Sequence, residues 1–367
     1  MDNFERFKDI IDDHITFYHE CLIPKNKYFG KNNNNDNDND KKKNLILISS
    51  PSRMGNHALM SMLDSHPLLP RIAGEDSFLR HSFFQSSADF NLFKENIKCS
   101  TNFDFMRKLS SFPGNVDKWE ELQRSFDSKV QPEIYAGVQY PTNRLVITDY
   151  QGTLIDVNHE SYLNYLKKNS ELISKKNNYL EIFEIYLKAL MLLDYKYTDD
   201  KKYKYIYANS GLRRQSLWLC EVMPEVKIIT SIRSFKSYAI SHIKSRYKKL
   251  EFKPDYIQEA WEHWYHKIID YFYIKSKFPK NIILIPFEDL VSKTDLAAKK
   301  ICDFLEIEFN KTMLTATTFG IKTKGNSSVP KDDNVLGKFY PPEEFLPNDL
   351  IPERVEIIEE ALKLISY

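Results

Sequence analysis

The sequence has few of the residues that would indicate a cross-linked or metal-stabilised protein. It contains four cysteines, Cys21, Cys99, Cys220 and Cys302, and no two of them form a C-x-x-C pair. This spacing argues against a disulfide framework and against a structural zinc site, so we expect four free thiols. With 367 residues, the chain is long enough to bury a full core without such cross-links.

Net charge is also nearly missing, because 52 Lys and Arg residues balance 51 Asp and Glu residues. No global field would draw the chain to nucleic acid, so any anion binding must be local. No stretch reaches the ~20 apolar residues that a membrane helix needs, and residues 1–20 lack the apolar core of a signal peptide. We therefore expect a cytoplasmic protein with no nucleic-acid partner and no membrane span.

The Walker pattern G-x-x-x-x-G-K-[ST] is missing as well, although the segment 45–67, LILISSPSRMGNHALMSMLDSHP, has the matching layout of strand, polar turn and helix. Backbone N–H groups from Met54 onward, beside the single Gly55, can bind an anion at the helix start, and Arg53 adds a charge. Without the Walker lysine and the Mg²⁺-binding hydroxyl, the loop does not suit a metal-bound nucleoside triphosphate. An ordinary turn with a surface arginine is the alternative interpretation.

Short apolar runs and helical patterns alternate along the chain. The runs predict core strands of a parallel sheet at 45–49, 205–208, 226–232 and 281–287. Helical patterns occur at 56–65, 212–223, 235–249, 255–277, 295–305 and 352–366. This alternation predicts an α/β fold with a three-layer, doubly wound, mostly parallel sheet.

The other segments predict the domain organisation. Residues 1–30 predict a helical N-terminal segment, and 31–43, KNNNNDNDNDKKK, predict a low-complexity loop because they offer no apolar surface to bury. Residues 44–367 then form the main domain. Within it, we interpret about 77–200 as an insertion that covers the carboxyl edge of the sheet and shapes the site of a second substrate. The insertion has a predicted hairpin and a predicted helix, at 143–157 and 180–195.

The segment RMGNHALMSMLDSHP resembles the 5′-phosphosulfate-binding loop and following helix of sulfotransferases that use 3′-phosphoadenosine 5′-phosphosulfate (PAPS). The family pattern is R-S-G-T-T or R-S-G-N-H, then L-x-x-L-L and, in many members, L-D-S-H-P. Met54 replaces the usual serine but keeps the backbone donor, and the side chains of Asn56 and His57 can donate hydrogen bonds. The resemblance therefore implies a phosphosulfate-binding set of Arg53, Met54, Gly55, Asn56, His57 and Ala58.

The segment VKIITSIRSFKSYAISH is similar to a second family element, which binds the 3′-phosphate with an arginine that ends a strand and a serine eight residues later. Arg233 and Ser241 occupy these positions, while Ser234 and Phe235 replace the usual Asp-Pro or Asp-Gly. By itself the segment is typical of a solvated basic helix face. Its occurrence together with the first element favours a phosphate site.

Three further segments resemble the family. NIILIPFEDL is similar to a strand and Y-E-D-L turn, with Phe287 in place of the tyrosine, and 352–367 resembles the terminal helix. TKGNSSVP, 323–330, resembles a loop that closes over the nucleotide, which implies donor binding by Gly325, Asn326 and Ser327.

Sulfuryl transfer passes through a loose in-line transition state, so catalysis is mainly positioning and charge neutralisation, and it needs a general base but no metal. The segment PRIAGEDSF resembles a G-E turn that supplies the base in several sulfotransferase types. The resemblance assigns this role to Glu75, with Asp76 as substitute and Arg53 in the catalytic set, while an exposed acidic turn is the alternative. Other titratable candidates for the base are His66, His81 and His159.

One position departs from the family in a way that bears on activity. Many relatives have a lysine that stabilises the bridging oxygen of the leaving phosphate, and the equivalent residue is Asn209. A neutral amide does not offset developing charge as an ammonium does. Either Arg53 carries this load, or Arg213 or Arg214 reaches in, or activity has been lost.

The resemblance implies a PAPS-dependent sulfotransferase that acts on a hydroxyl of a small-molecule, lipid or carbohydrate acceptor and releases 3′-phosphoadenosine 5′-phosphate. A catalytically inactive nucleotide-binding scaffold of the same fold is the alternative, and the missing Walker lysine speaks against a nucleotide kinase. His263 and His266, at i and i+3, lack a clear third ligand, so we expect no metal. The oligomeric state stays open, and a homodimer is one option.

Overall fold

A computed structural model gives the architecture. It describes residues 45–71, 146–148, 154–156, 158–198, 203, 205–208, 211–247, 252–322, 351–352 and 354–365. The predicted N-terminal segment 1–30 and the linker 31–43 lie outside these ranges.

Within the described ranges, the strands are β1 (Leu45–Ile48), β2 (Val146–Thr148), β3 (Leu154–Asp156), β4 (Tyr205–Ala208), β5 (Lys227–Ile232), β6 (Ile282–Pro286), β7 (Thr317–Thr318) and β8 (Ile321–Lys322). The helices are α1 (Asn56–Asp64), α2 (His159–Lys168), α3 (Ser170–Lys175), α4 (Tyr179–Met191), α5 (Arg213–Val222), α6 (Phe235–Tyr247), α7 (Pro254–Lys277), α8 (Phe287–Ser292), α9 (Thr294–Leu305) and α10 (Arg354–Ile365). A 3₁₀ helix spans Lys311–Leu314.

Four parallel strands form the central sheet in the order β4-β1-β5-β6. They are the four runs that the apolar pattern predicts, and each boundary agrees within one residue. The chain passes from β1 to β4 on one side and then to β5 on the other side. Ligands of open α/β sheets bind at the carboxyl ends of the strands where the strand order reverses in this way, so the loop after β1 lies at the expected binding edge.

Alternate side chains of the buried strands pack into two separate helical layers. Leu45 and Leu47 of β1 contact the core shared by α4, α5, α6, α7 and α10. Ile46 and Ile48 contact the core shared by α1, α8 and α9. Because successive side chains of a strand point to opposite faces, this division builds the predicted three layers. The predicted α/β class with a doubly wound parallel sheet is confirmed.

In the region interpreted as an insertion, helix α4 belongs to the core. The hairpin β2–β3 is antiparallel, as predicted. Helix α4 packs on the sheet, where the Phe183 ring meets Tyr207 of β4 at 5.5 Å and the Tyr179 ring meets Trp218 of α5 at 5.5 Å. The aromatic residues of α4 are therefore packing residues.

Among the described helices, none is long and apolar enough to cross a membrane.

Candidate functional site

The loop between β1 and α1 depends on two residues with positive φ. Arg53 has φ 71° and Gly55 has φ 100°. A Cβ atom on Gly55 would lie 2.3 Å from Cδ2 of Phe287, so glycine is required by the close approach as well as by the backbone. Below the loop, the Ser231 hydroxyl donates to the carbonyl of Met54, and Arg233 Nη1 lies 3.4 Å from the carbonyl of Arg53. The end of β5 thus holds the loop by its carbonyl groups.

The first turn of α1 is suited to an anion. Gly55 is its N-cap, no side chain caps the helix, and the first turn contains no acidic residue. The N–H groups of a helix start lack intrahelical partners and lie at the positive end of the dipole. The Asn56 side chain is buried and accepts a hydrogen bond from Ser50 N at 3.3 Å, which fixes the loop from inside. An anion at this turn would therefore meet the backbone donor of Asn56, beside the half-buried His57 and Ala58.

Arg233 lies directly after β5, where the resemblance predicts it. Its guanidinium stacks 4.4 Å from the ring centroid of Phe287, and its backbone carbonyl accepts from Trp264 Nε1 at 2.8 Å. Burial lowers the pKa of Arg233 to about 10, against the attraction of Glu288, so the group is still charged at pH 7. Phe287, the residue in place of the family tyrosine, therefore positions both Gly55 and this cation.

Ser237 contacts the Arg233 side chain and was not singled out from the sequence. Arg233 Nε donates to the Ser237 hydroxyl at 2.6 Å. Ser237 lies four residues before Ser241 on α6, and residues four apart share a helix face. Ser237 and the half-buried Ser241 thus lie on one face of α6, and Arg233, which precedes the helix, reaches that face through Ser237. The i, i+4 spacing from both predicted residues was the signal that could have revealed Ser237.

The N-terminus of α6 is already occupied by carboxylates of the chain itself. Glu288 Oε1 accepts from the backbone N and the hydroxyl of Ser234, at 3.2 and 2.9 Å. Glu359 Oε1, from α10, accepts from Phe235 N at 2.7 Å. The replacement of Asp-Pro by Ser234 and Phe235 is therefore accommodated by two caps. It also leaves α1, and not α6, as the helix start suited to an external anion.

The strand on the other side of β1 approaches the same loop. Gly211, which follows β4, donates from its backbone N to the carbonyl of Ser50 at 2.9 Å. Asn209 lies outside the described residues. Arg213 forms an ion pair with the buried Asp270 and lies 3.4 Å from the carbonyl of His266, while Arg214 is exposed. In this arrangement Arg213 is bound to α7, so its charge is already balanced by Asp270.

A second half-buried cation, Lys267 of α7, was not predicted from the sequence. Its Nζ donates to the hydroxyl of Tyr238 at 2.9 Å, and no described carboxylate forms an ion pair with it. Burial, followed by the charge of Arg213, lowers the pKa of Lys267 to about 8. Burial raises the pKa of Tyr238, and the nearby charge of Arg53 opposes this shift. Lys267 therefore adds a cation beside Tyr238, and no carboxylate of the described residues is paired with it.

The L-D-S-H-P segment connects the end of α1 to later parts of the chain through hydrogen bonds of Asp64 and His66. Asp64 Oδ2 accepts from the Thr317 hydroxyl at 2.7 Å and from Gly320 N at 2.6 Å, which ties the end of α1 to the β7–β8 hairpin. His66 Nδ1 accepts from Leu68 N at 3.2 Å, and Nε2 meets the carbonyl of Glu308 at 2.9 Å. Both ring nitrogens of the buried His66 are thus engaged, which does not favour His66 as a general base.

Several predicted site residues lie outside the described ranges. These are Glu75, Asp76, His81, Gly325, Asn326 and Ser327. His159 begins α2, and its side chain is not described. The structure therefore brings together the predicted anion loop and Arg233, with Ser241 on the helix that follows Arg233.

The comparisons with known proteins agree with this geometry. A model of the sulfotransferase family matches residues 46–311, which is more than half of the chain. The protein therefore belongs to the sulfotransferase family. Members of this family transfer a sulfuryl group, and family membership implies a nucleotide as its donor. No curated protein matches the sequence.

Two solved structures show how remote the structural relatives are. The chain is similar to the sulfotransferase domain of the Synechococcus PCC 7002 olefin synthase, with 16% identity, 87% of this chain and 94% of that chain covered, and a TM-score of 0.47. It is also similar to the sulfotransferase domain of the curacin biosynthetic pathway, with 14% identity, 87% and 96% covered, and a TM-score of 0.45. We draw on the family match alone.

Proposed function

We propose that the protein transfers a sulfuryl group from PAPS to a hydroxyl of a small-molecule, lipid or carbohydrate acceptor. The observation that carries the proposal is a binding edge made of donors and cations, at which the first turn of α1 has no capping side chain. Arg53 and Arg233 adjoin that turn. This donor set fits a nucleotide that carries two separate anionic groups, because sulfate and phosphate oxygens are acceptors only.

The residues divide by the group that each would hold. The backbone N–H groups of Gly55 and Asn56, with Arg53, would hold the 5′-phosphosulfate, while the N–H of Met54, also expected to bind it, donates to the carbonyl of Pro51 at 3.1 Å. Arg233 with Ser237 and Ser241 would hold the 3′-phosphate, because the Arg233 side chain already lies along this face of α6. PAPS, when bound, supplies the activated sulfuryl group. Positive charge from Arg53 and the helix start would stabilise the negative charge that develops on the leaving phosphate. The neutral Asn209 side chain cannot take this role.

Glu75 is proposed as the general base, on the resemblance of its G-E turn to the family. A base must accept the proton of the acceptor hydroxyl during transfer but is not needed for donor binding. Glu75→Gln should therefore abolish transfer and leave nucleotide affinity near that of the wild type. Asp76→Asn is the matched control, with a smaller expected loss. Full activity of Glu75→Gln would remove Glu75 from the mechanism.

The inactive scaffold is kept as a second candidate because Arg213, one of the substitutes for the missing lysine, is paired with Asp270. Calorimetric titration with 3′-phosphoadenosine 5′-phosphate, with ATP and Mg²⁺ as comparison, tests the donor. An acceptor screen with labelled PAPS then separates an enzyme from a scaffold. Bisphosphate binding with transfer supports the proposal, binding without transfer on any acceptor class favours the scaffold, and binding of ATP and Mg²⁺ alone contradicts both.

We also propose a cellular location and consider how the protein assembles. The described cysteines, Cys220 and Cys302, are buried free thiols, which is compatible with the proposed cytoplasmic location. A homodimer stays among the options.

A further inference from the structure

Two histidines and a glutamate meet between α6 and α7, away from the anion loop. His242 of α6 faces Glu259 and His263 of α7, and one potential ligand atom from each residue lies within 4.8 Å of the other two. His263 is one of the two histidines that the sequence singled out. Its partners in space are His242 and Glu259, and not the i+3 residue His266.

The His242 side chain is about nine-tenths buried, and its Nε2 makes no hydrogen bond among the described residues. This nitrogen points to Glu259 Oε1 at 3.5 Å, which is longer than a normal hydrogen bond. Burial of a polar atom without a hydrogen bond is unfavourable, so the position is better explained by a further ligand.

We propose that His242, Glu259 and His263 form a Zn²⁺ site that bridges α6 and α7. Tetrahedral zinc with ligand bonds of about 2.0–2.2 Å requires ligand atoms about 3.4 Å apart. The pair His242 Nε2 and Glu259 Oε1 already has this separation, at 3.5 Å. The exposed His263 ring, whose ligand atom lies within 4.8 Å of the other two, would turn towards the ion, and water would take the fourth position.

The surroundings allow the ion to enter. Arg246 Nε contacts Glu259 Oε1 at 2.7 Å, but the Arg246 side chain is 57% exposed and can turn into solvent when a dication replaces it. The Tyr247 hydroxyl donates to the other oxygen of Glu259 and would orient the carboxylate. Zinc binding would require both imidazoles to be neutral, so that each offers a lone pair to the ion. The nearby Lys267 charge acts against the site.

The site would stiffen the binding face of α6. His242 directly follows Ser241, which is proposed to hold the 3′-phosphate, and α6 contacts this part of α7 through the rings of His242 and His263 and through the hydrogen bond from Lys267 to Tyr238. A zinc ion that links the two helices would favour the folded state by mass action and raise the melting temperature.

The test is a calorimetric titration of Zn²⁺ into the metal-free full chain, with a melting curve of each variant. The wild type should show a binding event that His263→Ala loses and that Glu259→Gln weakens by more than about tenfold. His266→Ala, on the same helix, should keep the event. The metal-free variants should melt within a few degrees of the wild type, which excludes misfolding.

Three results would overturn the proposal. They are no zinc binding by the wild type, an event that is unchanged in His263→Ala, or an event that His266→Ala loses as completely as His263→Ala does. The titration and the melting curves need no sulfotransferase activity, so they test the zinc site independently of the proposed reaction.

Discussion

Gly55 combines two demands at one position. Its φ of 100° disfavours any side chain, and an added Cβ would also lie 2.3 Å from Phe287. We expect Gly55→Ala to lower the free energy of unfolding by about 2–4 kcal/mol, since it adds a core clash to backbone strain. The measurement is urea unfolding followed by circular dichroism.

Gly211→Ala separates the two causes. Gly211 also has a positive φ, 76°, but a Cβ there meets no atom within 4 Å. This variant should lose only about 1 kcal/mol, the cost of the backbone conformation. Equal losses in the two variants would show that the contact with Phe287 has no role.

Lys267 makes stability depend on pH. Its pKa is lowered from 10.5 to about 8 by burial and by Arg213, so between these values the unfolded chain binds more protons than the folded chain. Below about pH 8 the half-buried ammonium of Lys267 therefore lowers the free energy of unfolding, and this destabilisation disappears as the pH rises towards 10.5. Lys267→Met should be more stable than the wild type at pH 7, by about 1–2 kcal/mol after screening by solvent.

Urea unfolding at intervals from pH 7 to 9.5 measures this linkage. The advantage of Lys267→Met over the wild type should shrink across that range. Lys277→Met, an exposed position on the same helix, should show a constant difference. A constant difference for Lys267→Met as well would mean that Lys267 keeps its usual pKa in the folded chain.

At the scale of the elements, Asp64 joins α1 to the β7–β8 hairpin. In Asp64→Ala, the Thr317 hydroxyl and the Gly320 amide both lose their acceptor. We expect a loss of about 2–3 kcal/mol, because buried donors are left unsatisfied, and faster hydrogen exchange at Gly320. Asp295→Ala, an exposed site on α9, is the control and should change neither quantity. An unaltered exchange rate at Gly320 in Asp64→Ala would show that Asp64 does not hold the Gly320 amide.

Most boundaries of the main-domain elements could be predicted, because they depend on local patterns. The six helices predicted between the strands and at the C-terminus begin and end within two residues of the observed ones. The helix predicted at 180–195 was too long, since α4 ends at Met191 and the chain turns there. Helices α2 and α3 were not predicted, although Asn158 caps α2 and its charges suit the helix dipole, with Glu160 in the first turn and Lys167 and Lys168 in the last.

At the scale of the whole molecule, the contacts between distant segments could not be predicted from the sequence. The order of the strands, the pairing of Arg213 with Asp270 and the meeting of His242 with His263 depend on how helices pack across the sheet. The positions of Gly55 before α1 and of Arg233 directly after β5 could be predicted, because a motif of adjacent residues marks each of them, while their roles stay predictions. Ser237 could have been inferred only from its i, i+4 spacing to Arg233 and Ser241, and no motif marks Lys267, whose contact with Tyr238 depends on the packing of α6 against α7.

In the proposed PAPS site, Arg233 recognises a 3′-phosphate while the loop before α1 holds the 5′ group. Calorimetric titration of 3′-phosphoadenosine 5′-phosphate and of adenosine 5′-phosphate into the wild type, Arg233→Ala and Arg354→Ala tests it most directly. Arg354 is exposed at the start of α10 and serves as the matched control.

Arg233→Ala should weaken the bisphosphate by about 100-fold, the order expected for a charged hydrogen-bonding partner, and should barely change the monophosphate. Arg354→Ala should leave both affinities unchanged. Equal losses for the two nucleotides, or a wild type that does not distinguish them, would contradict the assignment of Arg233 and with it the proposed PAPS site.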